Sequence, residues 1–449
     1  MGQRHDHPSD AEVSATGLVA LVCCDLGAIV RGRSVLAEDL GERLDAGVSW
    51  VPANHALTPL GPLAEPNPFG SVGDLRLIPD PGTRVRVAAG TGQPALELLL
   101  CDITETDGRP WECCPRRFLR DSLKELEAQL DIGVIASFEH EFQLVLDSPP
   151  SLPFSLEAQR RAEPFATEVM RALAEAGVQP ERFFPEYAAH QFEIPVAPAE
   201  GLASADRSVV FREVVRDVAR RGDMRASFAP LIDPAEAGNG VHIHLNLVDA
   251  AGKSILYDGS RPGSLSEVGG RFAAGILQHA RALSALTAPS PVSAARLQPH
   301  RWSAGALCLA QGNREALLRI PPLVSIAGAD PASQMHLEYR GADATANPYL
   351  ALGAVIRAGL DGLRGDLPAP PILDRDPAEL DEAEAELYGV GALPSSLEES
   401  LQALAEDDVA RGWMEPLLYD AYLSVKRAEL AAIGELELEE ACRRYATIY

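Results

Sequence analysis

The chain has 449 residues, 46% of them hydrophobic, and its 65 Asp and Glu against 39 Lys and Arg give a formal net charge of −26. A chain of this length buries a large core as two domains or one large one, and its acidity excludes nucleic acid, which demands a basic face. No run is long and apolar enough to span a bilayer and no secretory signal is seen, so no membrane partner and a cytoplasmic location are expected.

Residues 1–16 are polar and predict a flexible tail. Residues 17–110 are β-rich with Gly and Pro punctuation, as in Leu75-Arg76-Leu77-Ile78-Pro79-Asp80-Pro81-Gly82, and predict a small sheet domain ahead of a larger one over 111–449. The vicinal pairs Cys23-Cys24 and Cys113-Cys114 suit neither a chelate nor a disulfide, because neighbours on a strand point to opposite faces. With an odd total of 7, the cysteines read as reduced thiols. Helical spacing begins after Pro115, at Phe118, Leu119, Leu123 and Leu126.

In Phe138-Glu139-His140-Glu141-Phe142-Gln143-Leu144 the period becomes that of a strand, placing Glu139, Glu141 and Gln143 on one face and His140 among apolar residues on the other. His140 therefore reads as a core histidine. A helix is predicted over 164–176, then a strand at Gln191-Phe192-Glu193-Ile194-Pro195 with Gln191 and Glu193 on one face, then a helix over 206–220. Gly238-Asn239-Gly240-Val241-His242-Ile243-His244-Leu245-Asn246-Leu247 alternates again, so that His242, His244 and Asn246 line one side behind a Gly-rich entry. A helix is predicted over 271–286, and His336-Leu337-Glu338-Tyr339-Arg340 aligns His336, Glu338 and Arg340. Further helices follow over 348–363, 397–404 and 415–430, with an acidic, Pro-rich surface excursion at 368–384. Helices mixed with antiparallel strands fit an α+β fold better than alternating βαβ units.

Clustered Glu with a single His suits Mg²⁺ or Mn²⁺ better than Zn²⁺, which would draw more His or Cys. Arg296, Arg314, Arg319 and Arg340 supply planar forks that bind carboxylate and phosphate oxygens bidentately. Arginines beside carboxylate-bound metal point to a small anionic substrate and a nucleotide phosphate, the apparatus of phosphoryl transfer. The chain carries neither GxxxxGK[ST] nor a GxGxxG opening a helix, so a nucleotide site must be built on another fold.

Five motifs in order carry a resemblance: Glu139/Glu141; Glu186…Gln191-Phe192-Glu193; Gly238 to His244; Asn313-Arg314…Arg319-Ile320-Pro321; and Glu338-Tyr339-Arg340…Asn347-Pro348-Tyr349-Leu350. On these the chain resembles the glutamine synthetase family over nearly its whole length. The resemblance implies an N-terminal β-grasp domain and a large catalytic domain with a curved antiparallel sheet and surrounding helices. It implies that Glu141, Glu186 and Glu193 hold one metal, and that Glu139, His242 and Glu338 hold the other. It places the nucleotide at His244, Asn246 and Arg314, and the transferring phosphoryl group at Arg314, Arg319 and Arg340. It assigns the substrates to Arg296, Gly238 and Arg340. His190 and Trp302, at positions that differ from the family, are read from the residues themselves as further substrate contacts, with packing the alternative for each. The implied reaction uses ATP and Mg²⁺ or Mn²⁺ to convert an acid to an acyl phosphate that an amine opens, in a homo-oligomer of stacked rings, a dodecamer by resemblance.

Several positions depart from the family pattern. Its flap carboxylate, which helps to bind ammonium, falls in Gln298-Pro299-His300-Arg301-Trp302-Ser303-Ala304, which contains no acid. Ammonium needs negative charge to attract it, whereas an organic amine is also held by aromatic surface, for which Trp302 is suited. Ala188-Ala189-His190 replaces Gly-Pro-Gly, Ala237 replaces an Asn, and Leu231 stands where many members have Lys. These changes favour a γ-glutamylamide synthetase acting on a polyamine or another organic amine. An ammonium-using glutamine synthetase is the alternative, and a catalytically silent relative serving as a structural or binding protein is another. Silence would be marked by loss of metal ligands or arginines, and none is lost.

Overall fold

The computed structural model describes residues 17–90 and 93–449, so the tail expected over 1–16 lies outside the described residues. The first sheet has the order Val30–Leu36, Leu18–Cys24, Leu96–Glu105, Leu75–Pro79, Val48–Trp50, with Val85–Val87 also paired to Leu96–Glu105. Leu18–Cys24 runs parallel to Leu96–Glu105 and the other pairings are antiparallel. Alternating apolar residues such as Val19, Leu21, Leu75, Leu77, Leu99 and Ile103 are all but fully buried on its inner side.

The second sheet is larger and curved. Its order is Ile372–Leu373, Ala306–Gln311, Ala316–Ile320, Leu337–Tyr339, Val241–Val248, Gly133–Val145, Gln191–Ile194, Phe184–Pro185, with two short strands added against Gly133–Val145. Helix Gly201–Arg221 covers the apolar face of Gly133–Val145. There the His140 ring stacks on Phe211 at 4.8 Å between centroids, and its Nε2 stands 2.8 Å from Ser208 Oγ. Burial holds the His140 pKa well below its ordinary value, so this is a neutral core histidine, as its place in the pattern implies.

Arg116, at the head of helix Pro115–Leu130, ties the first sheet to the helix that covers the second. Its guanidinium pairs with Asp80 and Asp102 of the first sheet and donates 2.9 Å bonds to both carboxylate oxygens of Asp206 on helix Gly201–Arg221. Tyr349 donates a 2.7 Å bond to the same Asp206, which fixes helix Pro348–Arg364 to the cluster. A planar fork with several donors suits this buried junction better than an ammonium.

Several helix boundaries move. The helix expected from Pro164 begins at Leu156, because Ser155 caps it by accepting from the Ala158 N–H and the chain tolerates Pro164 inside. The helix expected over 271–286 divides into Glu267–Gln278 and Ala280–Thr287 at His279, whose ring lies between Asp361 and Asp407 at 3.0 and 2.6 Å. The excursion at 368–384 is more ordered than its composition implies. It gives the edge strand Ile372–Leu373 and the start of helix Glu382–Tyr388, closed by an Asp381/Glu384 capping box. All seven cysteines are free and buried.

Candidate active site

The in-register pairing of five neighbouring strands assembles the site. Arg319 lies opposite Glu338, Glu338 opposite His244, His242 opposite Glu139, and Glu141 opposite Glu193. Opposed residues share a face and within each strand every second residue does, so the polar stripes of separate segments become one surface. Glu186 joins it from the turn after Phe184–Pro185, where its N–H donates 2.8 Å to the Gln191 carbonyl.

These residues line a cleft of about 380 Å³ together with Gly238, Arg314, Arg340, Tyr187 and Trp302. A second lobe of about 430 Å³ shares Glu139, Arg182, His244 and Pro321 with it, and adds Asn246, Met335 and His336. His244 therefore stands at the junction. Asn246 faces the second lobe, with its Oδ1 accepting from Ser254 Oγ at 2.8 Å.

The charges within the cleft are unevenly matched. Glu338 is almost fully buried and bonds to both Arg319, at 2.6 Å, and Arg340, at 2.5 Å; burial raises its pKa, but Arg340, His242, His244 and Arg319 bring it down to about 2. Glu139 Oε2 lies 3.2 Å from both His242 Nδ1 and His244 Nε2. His336 Nδ1 faces the Gln334 carbonyl at 2.6 Å and so donates to it, which leaves His336 Nε2 to accept from His244 Nδ1 at 3.0 Å. His244 then donates from both nitrogens. Burial opposes that charge, but Glu139 outweighs it and the His244 pKa is raised.

Glu186 and Glu193 have less relief, Arg314 offsetting only part of the crowding at Glu186. Among the described residues Glu186 and Glu193 form no ion pair. Burial, then Glu141 and Glu139, push Glu186 up to about 8, and burial with Glu139 and Glu141 also raises Glu193 well above its ordinary value. A concentration of oxygen donors that the protein's own cations leave uncompensated fits a hard divalent cation. Ligand atoms of Glu139, His244 and Glu338 lie within 4.8 Å of one another, and His242 Nδ1 is 3.2 Å from Glu139 and 3.7 Å from Glu338, so either imidazole reaches that pair. A metal held by Glu186 and Glu193 would have to displace their protons, so if it binds there Mg²⁺ titrated in at pH 7 is expected to release about one proton or more, and its apparent affinity to rise up to about pH 8. Calorimetry in buffers of different ionisation enthalpy reads this directly, and metal binding without proton release would contradict the raised values.

Beneath the carboxylates lies a layer of amides. Gln191 Nε2 donates to Glu141 at 3.0 Å and to the Gly238 carbonyl at 2.9 Å, while the Gly240 N–H donates to Glu141 at 2.9 Å. Gly238 is required by close approach: a Cβ there would lie 2.1 Å from the Pro230 carbonyl oxygen and 2.8 Å from Arg296 Cγ. Gly238→Ala is accordingly expected to destabilise by about 1–3 kcal/mol and to lower activity. An unchanged denaturation midpoint would show that both the Pro230 carbonyl and Arg296 yield freely.

Two expected site residues stand apart from the cleft. Arg296 is buried behind the Gly238–Gly240 stretch, donating to the Ala342 carbonyl at 2.8 Å while its Nε has no partner. His190, in a left-handed conformation with φ 53°, faces a separate apolar cavity, its Nε2 2.9 Å from the Ser148 carbonyl. Sequence reasoning missed Tyr187, Phe154 and Arg182. Tyr187 adjoins the candidate ligand Glu186, which was a usable signal; Phe154 and Arg182 sit in loops without periodicity.

The loop 298–304 carries no carboxylate, and its conformation is held by its neighbours. Glu315 Oε2 accepts from the His300 N–H at 3.0 Å, and Arg301 donates to the Pro234 and Glu236 carbonyls. Trp302 adopts φ 58° and remains 54% exposed, stacked on Tyr187 at 5.1 Å and inclined to Phe154 at 6.2 Å.

The chain is similar to known proteins over nearly its whole length. The family profile for the glutamine synthetase catalytic domain matches residues 112–445, and that for the glutamine synthetase N-terminal domain matches residues 6–111. A gamma-glutamylpolyamine synthetase, GlnA3 of Streptomyces coelicolor, is 34% identical over 96% of this chain and 93% of its own. The glutamine synthetase of Halobacterium salinarum is 31% identical over 80% of each. A crystal structure described as a novel glutamine synthase homolog superposes with a TM-score of 0.90 at 44% identity, covering 98% of this chain and 100% of that one. A GmaS/ADP complex does so with a TM-score of 0.81 at 27% identity, over 96% of each chain. The chain belongs to the glutamine synthetase family and is an ATP-dependent ligase that forms a C–N bond.

Proposed function

We propose that the enzyme joins glutamate, or a closely related acid, to an organic amine as a γ-glutamylamide. The observation that carries this reading is the pair Tyr187 and Trp302 lining the cleft, with Phe154 against Trp302, beside a loop that supplies no carboxylate. Aromatic faces attract an alkylammonium and cover its carbon substituent, whereas bare ammonium is held chiefly by acid groups.

In this reading Glu141, Glu186 and Glu193 would hold one Mg²⁺ or Mn²⁺, and Glu139, His242 and Glu338 the other. Bound there, the metals would neutralise phosphate oxygens of ATP. Arg319 and Arg340, anchored by Glu338, and Arg314 at the rim meet the charge that develops on the transferring phosphoryl group. The substrate carboxylate attacks that group and forms an acyl phosphate with loss of ADP. The amine then displaces phosphate and gives the amide. His244 and Asn246 place the nucleotide along the second lobe. The same proposal includes the domain division at 110/111 and the assembly of stacked rings, which light scattering would read as a multiple of the chain mass.

The test is phosphate release from ATP with glutamate, comparing ammonium with a panel of organic amines. Turnover with organic amines and little with ammonium is expected, and turnover mainly with ammonium would refute the reading. Trp302→Ala is expected to raise KM for the organic amine about 2- to 30-fold, as loss of a cation–π contact implies, with a smaller effect on kcat. An unchanged KM would remove Trp302 from the amine site.

A further inference from the structure

The acidic cleft and the second lobe meet at Glu139, Arg182, His244 and Pro321, which line both. Arg182 is the only one of them with a permanent positive charge, and among the described residues it is the only Arg or Lys lining the second lobe. Arg314, Arg319 and Arg340 line the cleft alone, and the last two are bonded to Glu338. The cation at the junction is therefore separate from those that face the carboxylates.

The backbone at Arg182 is fixed and the side chain is not. On one side the Glu181 N–H donates 2.9 Å to the Pro195 carbonyl, and on the other Phe183 stacks on Phe192 at 5.0 Å and Phe184 lies opposite Glu193. Between these anchors the Arg182 side chain is 68% exposed. Its ion-pair partner among the described residues is Glu181, whose carboxylate lies 4.0 Å away and is itself half exposed. A pair so long and so wet contributes little, and leaves the guanidinium free to turn to a stronger anion.

A nucleotide whose base end lies in the second lobe must carry its phosphates through the junction to reach the carboxylate cluster. That lobe adds the carboxylates Glu139 and Glu181, which repel the passing phosphates. A guanidinium binds phosphate oxygens bidentately and keeps its charge as water is excluded. We infer that Arg182 binds the non-transferred phosphates of the nucleotide where the two lobes meet, leaving Arg314, Arg319 and Arg340 to the transferring group. The substrate acid is a poorer partner for it, because Gly238 and Arg340, which would hold the acid, line only the cleft.

The inference rests on the placement of the nucleotide along the second lobe, and the test keeps the two separable. Calorimetry with Mg²⁺ measures ADP, and adenosine by displacement of ADP, on the wild type, Arg182→Ala, Arg182→Lys and Ile135→Trp. Ile135 lies opposite Asn246 and lines only the second lobe, so its replacement narrows that lobe away from the junction. Arg182→Ala is expected to weaken ADP about 5- to 50-fold while adenosine stays within twofold, and Arg182→Lys, which keeps the charge and loses the fork, to recover part of the loss. The KM for ATP should rise with the ADP constant and kcat change less. ADP binding within twofold of wild type in Arg182→Ala, or equal losses of ADP and adenosine, overturns the phosphate contact. A selective loss of ADP in Arg182→Ala, with neither ligand affected by Ile135→Trp, upholds Arg182 and rejects the placement of the nucleotide. Both ligands weakened by Ile135→Trp, with Arg182→Ala silent, does the reverse. Melting curves check that each variant folds.

Discussion

Arg319→Lys is expected to lower kcat by about 10²- to 10³-fold, the usual effect of removing one charge-stabilising donor aimed at a transition state. Arg319 Nη1 bonds to Glu338 at 2.6 Å, and its Nε, buried, has no partner within the protein. A buried N–H without a partner beside a cleft is a donor held for something that arrives. Lysine retains the charge next to Glu338, which also keeps its bond to Arg340, so folding should change little. It lacks the planar fork, so it cannot hold Glu338 and a phosphoryl oxygen at fixed angles together. Steady-state phosphate release with a thermal melt checks this. A kcat within threefold of wild type would place Arg319 outside the reacting region.

Glu193→Gln is expected to move activity and stability in opposite directions. It removes one of the oxygen donors proposed for the metal, and kcat/KM should fall by roughly 10²-fold or more. Without metal, however, Glu193 is a liability: burial, Glu139 and Glu141 raise its pKa, so the folded chain holds a proton that the unfolded chain gives up. The sign follows from linkage. Wild-type stability falls as pH rises above the ordinary carboxylate range, and stops falling at the raised value. Glutamine does not titrate. In EDTA the variant should match wild type near pH 4 and melt about 1–3 °C higher near pH 8. A lower melting temperature at pH 8 would show that Glu193 is stabilised by its neighbours rather than crowded by them.

Much of this was legible in the sequence, because strand periodicity is a local property. Alternation alone separated Glu139 and Glu141 from His140, and His242 and His244 from Ile243, and the structure puts each on the expected side. The motifs containing these residues identified the family, and loop 298–304 showed directly that it carries no acid.

Tertiary structure decided what lies across from what. Register between strands is non-local, so no period within Val241–Val248 could state that His242 faces Glu139 while His244 faces Glu338. Burial likewise depends on distant neighbours. Arg296 lies behind Gly238 because the backbone there has no Cβ to exclude it, and His190 turns to the apolar cavity because its φ of 53° points the chain that way. Phe154, Tyr187 and Trp302 meet from three separate loops, none with a periodic pattern. Sequence thus determined the chemical groups and the faces that carry them; packing alone determined which groups share a charge, a partner or an opening.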